Sequence, residues 1–294
     1  MRVSGFSMVR DAVRLNYPVA ESIRSILPIC DEFVIAVGRS GDGTLERVRA
    51  IGDPKVRVLE TEWDPAHFVH GAINAVQSNL ALDQCTGDWA FYVQADEVIH
   101  EDDVPLIRQA MESYLADTRV EGLLFRYLHF WGDFDHYHWT RNWYRKEVRV
   151  VRNVPGMRSW KSAQGFRLNG RKVFVRDCGA RVFHYGWVRP PEVMKRKQIA
   201  LDSLHHPKDW VDRRHPQPEQ AFDYGPLEHL RRFKGTHPAV MREWIASKAW
   251  SAADYRRPGT LHEHNRRSTR ALTWIEDNLL RSRIGEYRNY RVLR

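Results

Sequence analysis

The chain has 294 residues, which is enough to bury a large core in one large domain or two modest ones. With 43% hydrophobic and 12% aromatic residues, it has the composition of a folded globular protein rather than a disordered one. The longest apolar runs are strand-sized and the N-terminus has no apolar signal core, so neither a membrane-spanning helix nor export is expected. The three cysteines are far apart and odd in number, which favours a reducing, cytoplasmic compartment.

The net charge of +9 comes entirely from the C-terminal part of the chain. Residues 1–187 contain 24 basic and 24 acidic residues, whereas residues 188–294 contain 22 basic and 13 acidic ones. Such a basic segment suits an anionic partner, for example a nucleic acid, an anionic membrane surface or a phosphate-bearing substrate. A solvated basic surface without any partner would have the same composition.

The first hundred residues alternate between predicted strands and helices. Strands are expected at residues 6–9, 33–37, 56–59 and 89–93, with helices at 19–27, 45–51 and 69–82 between them. The runs at 33–37 and 89–93 are continuously apolar, which is typical of strands buried on both faces of a parallel sheet. Because parallel neighbours need crossover helices, this order predicts an α/β fold with a mostly parallel sheet.

The second part of the chain has a different pattern of predicted helices and strands. A helix is predicted at residues 105–115, followed by strands at 123–128, 147–151, 172–175 and 181–184 that we expect to form a more mixed half of the same sheet. Residues beyond 188 are rich in Arg, His and Trp and are predicted to be mainly helical. We therefore expect an α/β domain over 1–187 and a basic, mainly helical extension over 188–294.

Acidic side chains follow two of the predicted strands directly. Asp42 lies in a glycine-rich turn that begins at Gly38, and Asp96 and Glu97 come just after the strand at 89–93. The carboxyl ends of parallel strands meet at one edge of a sheet, where such folds bind ligands. Carboxylates there could bind a hard divalent cation shared with substrate phosphates, or could simply cap helix N-termini.

Four segments resemble the opening of family 2 glycosyltransferases, namely residues 8–11, 25–28, 30–35 and 40–44. The resemblance is clear over roughly residues 4–100 and weaker to about residue 187. It implies the GT-A fold and an inverting transfer of a sugar from a nucleotide-activated donor, usually with Mn²⁺ or Mg²⁺. It further suggests a role in cell-surface polysaccharide or lipopolysaccharide synthesis, with a sugar or lipid-linked acceptor and peripheral contact with the inner membrane face.

The same resemblance implies a donor site. Asp42 would hold the nucleoside, with Arg10 and Gly38 in the same set of motifs, and Asp96 would contact the metal and the diphosphate. Gln94 stands where the family's Asp-x-Asp motif has its first Asp, and Glu97 would support Asp96 as a second metal ligand.

The late segment around His184 resembles the His-x-Gly segment of other GT-A enzymes, in which the histidine completes the metal shell. His184 is therefore a predicted metal ligand, and Arg189 and Lys195 are expected to steady the diphosphate. The family's catalytic base is normally a carboxylate further downstream of the metal motif. Asp135 is the preferred candidate, and Asp133, His136, His138 and Glu147 are the alternatives. The aromatic and arginine residues around them suit an anionic acceptor.

Three other functions remain open at this point. A nucleic-acid-binding protein would use the basic C-terminal third but leaves Asp42 and Asp96 without a role. A nucleotidyltransferase would need a glycine- and lysine-containing phosphate loop near the first strand, and residues 3–13 lack one. A degenerate transferase that only binds a sugar nucleotide would explain Gln94 and the lack of a carboxylate in residues 159–165, where the resemblance places the base.

Overall fold

The computed structural model describes residues 1–259 and 261–293. The strands are β1 (Val3–Val9), β2 (Glu32–Gly38), β3 (Val56–Thr61), β4 (Trp89–Tyr92), β5 (Glu97–Ile99), β6 (Gly122–Trp131), β7 (His136–His138), β8 (Lys146–Arg152), β9 (Met157–Trp160), β10 (Gly165–Leu168), β11 (Arg171–Lys172), β12 (Phe174–Trp187), β13 (Arg231–Arg232) and β14 (Arg291–Val292). The helices are α1 (Val19–Ile26), α2 (Thr44–Arg49), α3 (Ala72–Leu82), α4 (Val104–Ser113), α5 (Pro191–Ser203), α6 (Lys208–Arg214), α7 (Arg242–Ala246) and α8 (Arg267–Ile275).

Eleven strands form one mixed sheet. Eight of them follow the order β13-β7-β6-β8-β4-β1-β2-β3, and β12 lies beside β6 and pairs with β5 and β14. The strands β4, β1, β2 and β3 are mutually parallel, β8 runs antiparallel to both β4 and β6, and β12 is parallel to β6. Strands β9, β10 and β11 form a small separate antiparallel sheet. The predicted α/β fold with a mixed, mostly parallel sheet is confirmed.

The central strands are buried on both faces, as their continuous apolar runs predict. In β2, Phe33 and Ile35 belong to the core that packs against α1, whereas Val34 and Ala36 belong to a second core with residues of α3 and the small sheet. Alternate side chains of a strand point to opposite faces, so one apolar run contributes to both layers. Helices therefore cover one face of the sheet, and a helix with the small sheet covers the other.

Two element boundaries differ from the sequence predictions for local reasons. Helix α3 begins at Ala72 rather than at residue 69, because His70 and Gly71 have φ values of 52° and 69° and cannot belong to a right-handed helix. The strands expected at 172–175 and 181–184 are one 14-residue strand, β12, with a register irregularity between Asp177 and Arg181.

The C-terminal part of the chain contributes to the main sheet as well as packing around it. Strand β14 adds to β12, strand β13 adds to β7, and the helices from α5 onward are short, with α5 the longest at 13 residues. Within residues 1–259 and 261–293, no helix is long and apolar enough to cross a lipid bilayer.

Strand direction determines where the loops of interest lie. Because β1, β2 and β4 are parallel neighbours, their carboxyl ends share one edge of the sheet. The loops that leave this edge are residues 10–16 after β1, 39–43 after β2 and 93–96 after β4. Asp42 and Asp96 therefore lie at the same edge of the sheet.

Candidate functional site

A cavity of about 520 Å³ opens at this edge, within the size range of small-molecule sites. Its walls come from the loops after β1 and β4, from β12, from α5 and from the loop before β10. The polar and charged residues among those that line it are Arg10, Asn74, Gln94, Asp96, Ser162, Gln164, His184, Lys197, Gln198, Asp202 and His205. We call this cavity the edge cleft.

An ion pair between Asp96 and Lys197 lies in the wall of the edge cleft. The Lys197 ammonium donates to Asp96 Oδ2 over 2.9 Å and to the Gly186 carbonyl over 2.7 Å, and both side chains are less than a tenth exposed. Burial alone would raise the pKa of Asp96, but the neighbouring positive groups, Lys197 first among them, together outweigh it and hold that pKa below its usual range. Burial and the nearby Arg189 guanidinium lower the pKa of Lys197 to about 8, so it stays charged at neutral pH.

A pair of buried histidines fixes the tautomer beside Asp96. His129 Nε2 lies 2.8 Å from the Tyr144 carbonyl, which can only accept, so Nε2 carries the proton. Burial lowers the pKa of His129 to about 3 and that of His184 to about 4, so both rings are neutral. His129 Nδ1 must then accept from His184 Nδ1 over their 3.0 Å contact. The lone pair of His184 Nε2 is left facing Asp96, with Oδ1 at 3.8 Å.

Gly186 makes the close approach of these groups possible. A Cβ at this position would lie 2.4 Å from His184 Nε2 and 3.0 Å from Asp96 Oδ2. Real Cβ atoms do not reach the first of these distances, so a side chain here would push the imidazole away. The glycine that follows the histidine in the sequence therefore has a steric role in the edge cleft.

Glu97 does not share the environment of Asp96. Its Oε2 accepts from Arg149 Nε at 2.8 Å, and its Oε1 accepts from Arg149 at 2.7 Å and from the Tyr127 hydroxyl at 2.7 Å. Glu97 and Arg149 are each only 1% exposed. A fully paired buried carboxylate is not free to bind a cation, so the structure does not support Glu97 as a metal ligand.

The side chains present do not fit a divalent cation as they are arranged. Of the predicted ligands Asp96, Glu97 and His184, only Asp96 and His184 lie together, and the lysine ammonium already contacts the carboxylate. Within the described parts of the chain, no group of three or more His, Cys, Asp or Glu side chains could hold a metal ion. A divalent cation can share one or two carboxylates with water and substrate phosphates, but here the Lys197 ammonium already occupies the Asp96 carboxylate.

Asp42 joins two loops at the sheet edge. Its Oδ1 accepts from the hydroxyls of Ser40 and Thr44, and its Oδ2 accepts from the Arg14 backbone N–H at 2.8 Å. Burial would raise the pKa of Asp42, but the hydrogen bonds from Arg14, Thr44 and Ser40 lower it overall. The structure thus gives Asp42 a partner for each carboxylate oxygen and does not place it in the wall of the edge cleft.

The other predicted donor-binding residues fall into two groups. Arg10 and Gln94 line the edge cleft, and Arg10 Nε is buried with no hydrogen-bond partner among the described residues. Gly38 packs against Trp63, whose indole nitrogen would lie 2.3 Å from a Cβ there. Arg189 is 1% exposed behind the cleft, where it donates to the Gly186 carbonyl over 2.6 Å. Gly38 and Arg189 therefore support the cleft without lining it.

Neither predicted base lines the edge cleft. Asp135 is exposed just before β7, where its carbonyl accepts from the Phe233 N–H at 2.7 Å. Glu147 is buried in β8 and lines a separate cavity of about 320 Å³, and burial raises its pKa to about 7. Lys195 does not line the cleft either, and its ammonium lies 3.1 Å from His215 Nδ1.

Sequence reasoning missed two residues of α5 that do line the cleft, Lys197 and Asp202. The lining positions 197, 198, 201, 202 and 205 recur at helical spacing and form one face of the helix and its C-terminal turn. Asp202 Oδ2 accepts from His215 Nε2 at 2.7 Å, which leaves its other oxygen available to the cleft. The signal in the sequence was the helical spacing of Lys197, Gln198, Asp202 and His205 in an otherwise unassigned basic helix.

A second, larger cavity adjoins the edge cleft and shares Trp143 and Tyr144 with it. Its volume is about 810 Å³. Basic side chains dominate its charged lining, which consists of Arg126, Arg145, Lys146, Arg181, Arg231, Arg281, Arg283 and Arg288 with the acidic Asp277 and Glu286. We call it the arginine cavity.

No family model matches the chain, and no curated protein matches its sequence. Several solved structures are distantly similar to it. They include residues 1–349 of S. aureus TarS in complex with UDP, with a TM-score of 0.37 and 16% identity over 72% of this chain and 69% of that one. A Pyrobaculum calidifontis mannosyltransferase with GDP-Man and Mn²⁺ has a TM-score of 0.32 and 24% identity over 42% and 34%.

Glucosyl-3-phosphoglycerate synthase of Mycobacterium tuberculosis, in complex with Mn²⁺, UDP and phosphoglyceric acid, gives a TM-score of 0.31 with 19% identity. That match covers 44% of this chain and 43% of the synthase, so the chain spans less than half the length of the synthase and of the mannosyltransferase. The sheet order is that of a mixed α/β fold: the parallel strands β3-β2-β1-β4 are continued by β8, which is antiparallel to β4, and by β6, which is antiparallel to β8.

Proposed function

We propose that this chain is a glycosyltransferase that moves a sugar from a nucleoside diphosphate donor to an acceptor hydroxyl with inversion of configuration. The observation that carries this proposal is the edge cleft, in which Arg10 and Lys197 converge at the carboxyl ends of β1 and β4. Open α/β sheets bind ligands at this position. Two cations facing a cavity of about 520 Å³ suit the diphosphate of a sugar nucleotide.

The buried Nε of Arg10 supports this reading. It has no hydrogen-bond partner among the described residues, and its nearest carboxylate, on Asp11, is 3.6 Å away. An unsatisfied buried donor costs about 1–3 kcal/mol, which a phosphate oxygen would recover on binding. The polar side chains on the opposite wall, from Asn74, Ser162 and Gln164, can accept or donate to the hydroxyls of a ribose or sugar.

Asp202 is the residue we propose as the catalytic base. It is the acidic side chain that lines the edge cleft besides Asp96, whose charge is already paired with Lys197. His215 donates to Asp202 Oδ2 and so fixes the carboxylate with one oxygen free. In the proposed step the free oxygen of Asp202 takes the proton of the acceptor hydroxyl. The hydroxyl oxygen then bonds to the anomeric carbon from the face opposite the diphosphate. The bond from that carbon to the phosphate oxygen breaks, and its electron pair leaves with the diphosphate.

The arginine cavity is the proposed place of the acceptor. Three of its side chains are buried with polar atoms that have no hydrogen-bond partner among the described residues: both ring nitrogens of His138, Trp143 Nε1, and Nε and Nη1 of Arg283. A ligand with anionic oxygens would satisfy the donors among them, which in the neutral His138 ring means one of the two nitrogens. An acidic sugar or a phosphate-linked lipid has such oxygens, which is consistent with a role in assembling cell-surface polysaccharide or lipopolysaccharide at the inner membrane face.

Calorimetry with UDP, GDP and dTDP would test the donor site. We expect the protein to bind one of them, and Arg10→Ala to weaken that binding by about tenfold or more, as loss of a charge-assisted hydrogen bond implies. Arg39→Ala removes an equal charge from a side chain that is 84% exposed on the next loop and should leave the affinity unchanged. Binding of DNA or RNA with no binding of any nucleoside diphosphate would instead support a nucleic-acid-binding protein.

A further inference from the structure

Lys197 lies where the sequence resemblance places a divalent cation. Its ammonium contacts Asp96 Oδ2 at 2.9 Å and the Gly186 carbonyl at 2.7 Å, and it lies 4.9 Å from the centre of the Tyr17 ring. It is 4% exposed, so this is a fixed internal cation rather than a mobile surface lysine. These contacts leave part of its charge and one of its three donor positions for a ligand in the cleft.

The charges around Asp96 are already satisfied without a metal. Lys197 pairs with it directly, and the Arg189 guanidinium lies beside the same Gly186 carbonyl and 4.7 Å from the Tyr17 ring. The neighbouring carboxylate, on Glu97, is neutralised by Arg149. Two cations, Lys197 and Arg189, therefore lie beside the Asp96 carboxylate, which is already paired, and a divalent ion added here would be repelled by both at short range and low dielectric.

The helix that carries Lys197 explains why the lysine is held at this point. Helix α5 starts at Pro191, directly after β12 ends beside Gly186, and a proline suits the first turn of a helix. Met194 and Lys197 are the buried non-proline residues of α5 and are three positions apart, on the same face. Lys197 is thus anchored on a rigid element two turns from the sheet edge.

We propose that the Lys197 ammonium takes the place of the divalent cation, so that the donor's diphosphate binds in the edge cleft without a metal ion. This inference rests on the proposed glycosyltransferase function. A diphosphate brings the negative charge that the cluster of Lys197, Arg189 and Asp96 lacks. The ammonium then stabilises the charge that develops on the leaving diphosphate, as a preorganised positive group in a site shielded from water.

The experiment is calorimetric titration of the full chain with UDP, GDP and dTDP, once with Mn²⁺ and once with EDTA. We expect the dissociation constant of the nucleotide that binds to agree between the two conditions within about twofold. Lys197→Ala should weaken that binding in EDTA by about 10- to 100-fold, the range for a lost charge-assisted contact. Lys197→Arg keeps the charge and should recover most of the affinity.

Arg196→Ala is the matched control, because Arg196 is the exposed neighbour on the same helix and its removal changes the net charge equally. Binding by the native protein only when Mn²⁺ is present would overturn the inference and leave the proposed function intact. Unchanged affinity in a folded Lys197→Ala protein would overturn it too. If none of the nucleotides binds under either condition, the proposed function fails and the inference fails with it. The comparison of Mn²⁺ with EDTA needs no variant, so it tests whether nucleotide binding requires a metal ion even if Lys197→Ala does not fold.

Discussion

Asp96 and Lys197 are 101 positions apart in the sequence, yet the lysine ammonium donates to the aspartate Oδ2 over 2.9 Å in the wall of the edge cleft. The carboxylate comes from the loop after β4, and the ammonium comes from α5, which follows the last long strand of the sheet. This contact joins the N-terminal half of the sheet to the basic C-terminal part of the chain. The site is therefore built from both predicted regions and not from residues 1–187 alone.

Glu97 and Arg149 provide a prediction about stability. We expect Glu97→Gln to lower the free energy of unfolding by about 3–5 kcal/mol, because it leaves the fully buried Arg149 guanidinium without its counter-charge. Urea denaturation followed by circular dichroism would measure the change. Exposed Arg39 and Glu62 form the matched control pair, and Glu62→Gln should change stability by about 1 kcal/mol or less.

The double variant Glu97→Gln with Arg149→Met distinguishes a structural ion pair from a ligand-binding carboxylate. Removing both charges should restore part of the stability lost in Glu97→Gln, because no buried charge is left unpaired. A loss below about 1 kcal/mol for Glu97→Gln would show that Arg149 has another partner. Glu97 would then again be available as a ligand.

Gly186→Ala provides a prediction about the geometry of the edge cleft. The added methyl would lie 2.4 Å from His184 Nε2 and 3.0 Å from Asp96 Oδ2, so the imidazole or the carboxylate must move. We expect the nucleotide affinity to fall by about tenfold or more, on the scale of one displaced charge-assisted contact, while the protein remains folded. Calorimetry with the nucleotide that binds the native protein is the measurement.

Gly41→Ala serves as the control for Gly186→Ala. A Cβ at Gly41 meets no atom within 4 Å, although the residue lies in the neighbouring loop after β2. It should bind nucleotide with native affinity. Native affinity in Gly186→Ala as well would mean that the His184 and Asp96 side chains do not need their present separation for binding.

The sequence alone predicts the sheet edge but not the full set of groups that meet there. Continuous apolar runs at 33–37 and 89–93 identify buried parallel strands, and strand polarity then places the loops of Asp42 and Asp96 at one edge. Neighbours in sequence do not reveal their partners in space. Glu97 follows Asp96 directly, yet its carboxylate pairs with Arg149 of β8, 52 positions away.

Contacts between distant segments account for the residues that sequence reasoning missed. Lys197 and Asp202 belong to a basic helix whose composition indicates only a charged face, and the packing of α5 against the sheet edge is what brings them to the cleft. Asp135 is the preferred base among the sequence candidates downstream of the metal motif. Strand β7 instead carries that segment to the far side of β6, away from β4 and its loop.

Asp202 provides a prediction about catalysis that distinguishes it from Asp135 as the catalytic base. We expect Asp202→Asn to lower the rate of donor turnover by about 10²- to 10⁴-fold, the usual contribution of a general base, with little change in nucleotide affinity. Release of nucleoside diphosphate from a sugar nucleotide, with water or an added acceptor, measures the rate. Asp135→Asn should turn over donor at the native rate, since Asp135 is exposed away from the cleft.

Other results for Asp202→Asn would assign the role of catalytic base to another residue. Native turnover in Asp202→Asn would exclude the carboxylate as proton acceptor. His184 and His205 would then be the neutral bases left in the lining, because burial lowers the pKa of both imidazoles. A loss of nucleotide affinity equal to the loss of rate would show that Asp202 binds the donor and takes no proton.

Glu147 provides a prediction about the pH dependence of stability. Burial raises its pKa from 4.5 to about 7 in the folded protein, so between these values the native state binds more protons than the unfolded state. The stabilisation from the protonated side chain is therefore complete below about pH 4.5 and is lost as the pH rises through about 7. Glu147→Gln removes this titration and should be more stable than the native protein at pH 8, by up to about 3 kcal/mol.

Urea denaturation of both proteins at pH 5 and pH 8 would measure this effect as a difference between them. The comparison is made as a difference because other groups also make the stability depend on pH. Burial lowers the pKa values of His129 and His184, which makes the protein lose stability towards acid pH, in the sense opposite to the effect of Glu147. Those histidines are present in both proteins, so their contribution cancels in the comparison. Asp135→Asn is the control for amide substitution at an exposed carboxylate. Equal pH dependence in Glu147→Gln and the native protein would mean that Glu147 is solvated in its cavity, which would make it a candidate base once more.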